Sequence, residues 1–201
     1  MQSVEDKVVK RIYAGKRGMV FTPPRFFDLG SENSVRKALQ TLSEKGVIRR
    51  LGRGLYDYPA SHPKLGVLTP TPEQIAMALA GKDKTRIQPS GAYAANLLGL
   101  TLQVPAEVTF LTDGATRTVT VGNQTITLKR TTPKNMAAAG RISGLVIQAL
   151  RYLGQKHVNQ KVIDTLDRRL SPEDRKTLLR DIKLAPAWIG EIIRQLAKKD
   201  A

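Results

Sequence analysis

SENSVRKALQTLSEKGVIRRLGRGLYDYP, residues 31–59, reads as a helix, a strand, a Gly-Arg-Gly turn and a second strand. The helix follows from periodicity. Val35, Ala38, Leu39 and Leu42 repeat at i, i+3, i+4 and i+7 and make one apolar stripe. At about 100° per residue, the opposite face carries Asn33, Lys37, Gln40 and Glu44, with Arg36 and Thr41 on its flanks. Ser31 is a good N-cap, and Ser34 follows in the first turn. The two strands carry Arg49, Arg50 and Arg53, and alternation sends Arg49 and Arg50 to opposite faces. A basic helix followed by a basic hairpin is the layout of a winged helix-turn-helix, in which the helix can enter the major groove while the wing tip touches the backbone or minor groove. The contacts expected from this layout are Ser31, Asn33, Ser34, Arg36, Lys37, Gln40 and Thr41 on the helix, and Arg49, Arg50 and Arg53 on the wing. Taken singly, any of these cations reads more simply as a solvated surface group. Together they favour phosphate contact.

The upstream residues complete the unit. Val4, Val8, Val9 and Ile12 predict a first amphipathic helix ending near Gly15, and Met19–Thr22 a short strand. Pro23-Pro24 opens a brief helix with Phe26, Phe27 and Leu29, broken at Gly30. The order helix, strand, helix, helix, strand, strand is more specific than any one piece.

Downstream, PASHPKLGVLTPTP (residues 59–72) has four prolines and reads as a connector. Thr71-Pro72-Glu73 starts a helix running to Leu79 and stopped by Gly81. Lys84–Gln88 reads as a strand, and Ser90 caps a short helix ending at Gly99. Val108–Thr112, Arg117–Val121 and Thr125–Lys129 alternate as half-buried strands, joined by the turn dipeptides Asp113-Gly114 and Gly122-Asn123. Beyond Asn135 the chain is helical. Expected helices are Met136–Leu153 (in which Gly140 and Gly144 mark close packing), Val158–Leu170, Ser171 to about Ile182, and one from Pro186. The expected fold class is α+β. Its parts are a winged helix-turn-helix at 1–59, a Pro-rich connector at 60–72, a small mixed α/β domain at 73–136 and a helical region at 137–201.

Charge points the same way. The net charge is +16 in 201 residues. It is spread along the chain: residues 1–60 hold 12 Lys/Arg against 6 Asp/Glu, and residues 137–201 hold 13 against 7. Such a basic folded surface suits a polyanion, whose neutralisation releases counterions. There is no cysteine, which removes disulfides, thiol catalysis and thiolate metal sites and fits a reducing compartment. The N-terminus lacks the apolar core of a signal peptide, and no run approaches the roughly 20 apolar residues of a membrane span, so a cytoplasmic location is expected.

Catalytic patterns are missing. Gly81-Lys82-Asp83 does not complete a phosphate-binding P-loop, and Gly52-Arg53-Gly54 is too short for a dinucleotide fingerprint. His62 and His157 stand apart without acidic clusters, so no zinc site is expected. Gln88-Pro-Ser-Gly91 is not a nucleophile elbow. Gly30-Ser31 hints at the opening of a nucleotidyltransferase motif, but no Asp-x-Asp pair exists to hold its metals. The expectation is a non-enzymatic protein with no cofactor.

Two further patterns carry a family resemblance. The first unit ends in Arg53-Gly-Leu-Tyr-Asp-Tyr-Pro59. After the connector comes Gln88-Pro-Ser-Gly-Ala-Tyr-Ala-Ala-Asn-Leu-Leu-Gly-Leu100, followed by a Thr-rich sheet segment ending Lys129-Arg130-Thr131. This order, over most of residues 3–136, resembles the AbiEi family, antitoxins of bacterial AbiE-type, type IV toxin-antitoxin systems. The resemblance implies a winged part that binds operator repeats upstream of its own operon and represses it. The remainder would neutralise a nucleotidyltransferase-type toxin without a stable complex. The alternatives are a stand-alone DNA-binding regulator and an RNA-binding protein. For the latter, Arg141, Arg151, Lys156 and Lys161 would offer a basic helical face at residues 137–163, which carry no acid. Monomer or dimer on DNA is left open by the sequence.

Overall fold

The apolar stripes and caps of the sequence build the first part of the chain. In the computed structural model, which describes residues 2–81 and 85–198, Ser3 caps α1 (Val4–Tyr13) in a reciprocal box with Asp6. Strand β1 (Val20–Phe21) leads into a 3-10 helix, Pro23–Leu29, rather than an α-turn. Ser31 caps α2 (Glu32–Glu44), whose buried side is Val35, Ala38, Leu39 and Leu42, the predicted stripe. Strands β2 (Arg49–Gly52) and β3 (Leu55–Asp57) then close an antiparallel sheet in the order β1-β3-β2. Val8, Ile12, Phe21, Phe26, Val35, Leu39 and Ile48 make one core under this sheet. Phe21 meets Phe26 edge-on at 5.3 Å between ring centroids. Arg11 clamps Asp28 through two hydrogen bonds of 2.6 and 2.7 Å, tying α1 to the 3-10 segment.

The connector is not featureless. It holds a two-stranded ribbon, β4 (Ser61–His62) with β5 (Gly66–Val67). Helix α3 (Pro72–Ala80) starts with a Thr71–Gln74 capping box and lies against β1. Beyond it, β6 (Ile87–Pro89), β7 (Glu107–Thr112), β8 (Arg117–Val121) and β9 (Gln124–Arg130) form a sheet in the order β6-β7-β9-β8. Helices α4 (Gly91–Leu97), α5 (Pro133–Met136), α6 (Ile142–Leu153), α7 (Gln160–Arg169), α8 (Pro172–Arg180) and α9 (Ala187–Lys198) supply the rest. Their core joins Ala94, Leu98, Val146, Leu150, Leu166, Leu178 and Ile193. The molecule is α+β, as expected from the sequence.

The described chain forms two compact units: residues up to Thr85 with Thr118–Ile126, and Arg86–Arg117 with Thr127 onward. These bounds differ from the expected breaks at 59, 72 and 136. Helix α3 belongs with the first sheet, and Met136 is fully buried in the second unit, its carbonyl accepting from Arg86 Nη1 at 3.2 Å. Of the sequence features named above, Lys82, Asp83 and Lys84 lie outside the described residues.

Two local expectations are corrected. Met136–Leu153 is not one helix: Gly140 adopts φ +75°, its N–H donates to Gln88 Oε1 at 3.3 Å, and α6 restarts at Ile142. Ser90 stands at the N-cap of α4 but does not cap it; its hydroxyl donates to Gln148 Oε1 at 3.4 Å, a buried amide that needs a partner.

At the β7 turn, Asp113 accepts from Arg86 Nε at 2.8 Å and from the Arg86 backbone N–H at 2.9 Å. The side-chain bond first, then the backbone bond, hold this carboxyl below its ordinary range. A lowered folded pKa stabilises above the unfolded value and is lost as pH falls through the folded one. Asp113→Asn is therefore expected to lower Tm at neutral pH, with the difference from the parent shrinking as pH falls through the carboxyl's lowered folded pKa, as read by thermal melts across pH.

Candidate nucleic-acid interface

The face of α2 opposite its stripe is open. Asn33, Arg36, Lys37, Gln40 and Glu44 are exposed, and Thr41 is half-buried. Helix capping constrains the first turn. Ser31 Oγ accepts from the Ser34 N–H at 3.2 Å and lies 2.8 Å from Ser34 Oγ, so the two hydroxyls engage each other. Arg36 is pre-oriented by Glu32 at 3.4 Å and lies 5.8 Å from the Phe27 ring centroid. Gln40 Nε2 donates to Glu44 Oε1 at 3.0 Å. Lys37 has no ion pair among the described residues. A side chain already aligned along the helix loses less rotamer freedom on binding.

The hairpin separates its arginines. Arg49 turns inward: Nε donates to Asp57 Oδ1 at 3.1 Å, and Nη2 donates to Asp57 Oδ2 at 2.6 Å and to the Leu68 carbonyl at 2.8 Å. The bond to Asp57 pushes the Arg49 pKa further up, so its charge is permanent. Because Asp57 is 1 % exposed, the pair is committed to the fold. This corrects the expected grouping of Arg49 with the outward cations. Arg50 and Arg53 are exposed, Arg53 at the turn where Gly54 takes φ +69°. Gly52 lets the hairpin approach β8; a Cβ there would lie 2.9 Å from Val119 Cγ2.

Between α2 and this hairpin lies an open cleft of about 410 Å³. Arg36, Gln40, Ser43, Glu44, Arg50 and Arg53 line it, with Pro23 and Tyr56. The structure thus brings Arg36, Gln40, Arg50 and Arg53 together, while Asn33 and Lys37 lie on the exposed α2 face beyond the cleft lining. Ser43 and Glu44 were not among the expected contacts, although Ser43 follows Gln40 by three residues and so shares its side of the helix.

Of the four cations at 137–163 that an RNA-binding reading would use, two are engaged within the fold, while Lys156 and Lys161 are exposed. Arg141 Nε pairs with Asp181 at 2.9 Å, and Arg151 Nη1 donates to Asn135 Oδ1 at 3.1 Å. His62 Nδ1 accepts from the Lys64 N–H, and His157 Nδ1 donates to the Leu153 carbonyl. Among the described residues no group of three or more His, Cys, Asp or Glu could hold a metal, and no helix is long and apolar enough to cross a membrane.

A model of a family of unknown function, DUF6088, matches residues 7–178, and the chain belongs to that family. No curated protein and no solved structure matches it.

Proposed function

We propose that the first unit is a winged helix-turn-helix module that binds duplex DNA in a sequence-specific way, with α2 as the recognition helix and the β2–β3 turn as the wing. The observation that carries this reading is the cleft between α2 and the hairpin, with Arg36 on one side and Arg50 and Arg53 on the other. The element order and the β1-β3-β2 sheet support it. Helix α2, at about 1.5 Å per residue, is long enough to lie in a major groove about 12 Å wide. Asn33, Lys37 and Gln40 supply donors for base edges, with Gln40 able to face adenine and Lys37 guanine. Arg50 and Arg53 meet phosphates, which position the module without reading sequence.

The chain acts, in this proposal, as a repressor of its own operon. It is also an antitoxin to a nucleotidyltransferase-type toxin, neutralised without a stable complex. That second part rests on the resemblance carried by Arg53–Pro59 and Gln88–Leu100. No catalytic step is assigned to the chain.

The deciding experiment is a gel-shift titration of the whole protein against its own upstream region, with scrambled duplex as competitor and salt varied. Selective binding is expected. Lys37→Ala should weaken it by about 1–3 kcal/mol if it reads a base, and should lower the salt slope by about one if it meets a phosphate. Arg53→Ala should weaken binding with little change in preference. Equal affinity for both duplexes would leave only a polyanion binder, and unchanged binding of Lys37→Ala and Arg36→Ala would remove α2 as the reading helix.

A further inference from the structure

The second unit carries a cationic cleft that the DNA-binding reading does not use. It lies between the turn after α4 and helix α7, and is an open cleft of about 500 Å³. That size is within the roughly 300–1,000 Å³ of small-ligand sites. Lys161, Arg168 and Arg169 line it, and no carboxylate does. These three recur at i, i+7 and i+8 and so share a side of α7.

Neither neighbouring acid pairs with these three cations. Asp164 accepts from Gln160 Nε2 at 2.8 Å, and Asp167 pairs with the buried Arg175 at 3.1 Å. Three other arginines of this unit are compensated: Arg86 by Asp113, Arg141 by Asp181 and Arg175 by Asp167. Lys161, Arg168 and Arg169 have no ion pair among the described residues. Arg168 Nε donates to the Asp164 carbonyl at 3.2 Å, which steadies the side chain and leaves its two Nη groups for a ligand. Arg169 is placed by a missing side chain: Gly99 has φ +70°, and a Cβ there would lie 2.8 Å from Arg169 Nη2. The guanidinium therefore rests against bare backbone.

The opposite wall is the Gly99–Leu102 turn, which offers Leu100 and the almost fully exposed Leu102 with Thr101 between them. Two guanidinium forks suit phosphoryl oxygens, which they can grip in pairs. The backbone positions of Lys161 and Arg168 stand about 10 Å apart along the axis, which leaves room for more than one phosphoryl group between their side chains. Two leucines beside that charge suit a nucleoside, not the edge of a duplex.

We propose that this cleft binds a nucleotide, its di- or triphosphate held by Lys161, Arg168 and Arg169 and its nucleoside against Leu100 and Leu102. The site is independent of α2, so it stands or falls apart from the DNA reading. The test is calorimetric titration of the whole protein with ATP, sodium pyrophosphate and adenosine at two salt concentrations, beside duplex binding by gel shift. ATP should bind, pyrophosphate more weakly, and adenosine undetectably. Arg168→Gln and Arg169→Gln should each weaken ATP by about tenfold or more, the loss of a charge-assisted pair. Arg180→Gln, the same charge change on the exposed side of α8, and Lys37→Ala should leave ATP binding as it was. The proposal is overturned by absence of ATP binding, by equal weakening in Arg180→Gln, or by pyrophosphate binding as tightly as ATP. It is also overturned if Arg168→Gln and Arg169→Gln lower duplex affinity instead, since the cleft would then be a backbone contact.

Discussion

Gly144→Ala should cost the second unit about 1–5 kcal/mol, although alanine is the better helix former. The propensity gain is about 1 kcal/mol in a helix interior. Against it stands the space: a Cβ on Gly144 would collide with the Ala138 carbonyl oxygen and with Gln88 Oε1, and would lie 2.9 Å from Gln88 Cδ. Neither neighbour yields easily. Ala138 is backbone in the turn between α5 and α6. Gln88 is 2 % exposed, and its amide is spent on the Gly140 N–H and the Pro89 carbonyl. Moving backbone in a packed core costs about 1–3 kcal/mol, and stranding the buried amide costs about 1–3 more. The clash therefore wins over the propensity. Gly190→Ala is the control, in the interior of α9. Its Cβ would meet Ile182 Cγ1 at 3.5 Å, ordinary contact, so propensity should prevail and stability should hold or rise by up to about 1 kcal/mol. Urea unfolding followed by Trp188 fluorescence reads both variants in the unit that changes. A Gly144→Ala protein as stable as the parent would mean that the α5–α6 turn shifts freely.

The contrast shows which parts of this fold can be read locally. Glycine at 144 already suggested close approach, because a helix keeps a glycine only at a cost. What approaches it, Gln88, is 56 residues earlier in the chain, and no periodicity carries that distance. The same buried amide ends the expected helix at Gly140: the apolar spacing runs on through Met136–Leu153, and only the bond from residue 88 makes the left-handed turn worthwhile. The α2 stripe was legible because four apolar residues at helical spacing need no outside partner to declare a face. For the hairpin, alternation said that Arg49 and Arg50 point apart without saying which points in. That was settled by Asp57, opposite Arg49 in the register of β2 and β3. The basic cleft of α7 stayed hidden because its other wall comes from the Gly99–Leu102 turn, some sixty residues away.

Arg49→Met should lower stability of the first unit by about 3 kcal/mol, with no loss of phosphate contact in the folded fraction. Removing one partner of a buried pair strands the other charge, at about 3–5 kcal/mol. The low end applies here: Asp57 is 1 % exposed, but the Arg49 side chain is 34 % exposed, so water can reach the gap. The Leu68 carbonyl also loses its donor. Arg49→Met combined with Asp57→Leu should recover most of the loss, because an apolar pair of similar volume often replaces a buried ion pair at little cost. A double-mutant cycle by chemical denaturation gives the coupling directly. Arg53→Ala should behave in the opposite way, leaving stability within about 0.5 kcal/mol as an exposed substitution and reducing the salt slope of duplex binding. If Arg49→Met instead lowered the slope and left stability intact, Arg49 would leave Asp57 for the backbone on binding, and all three hairpin arginines would belong to one interface.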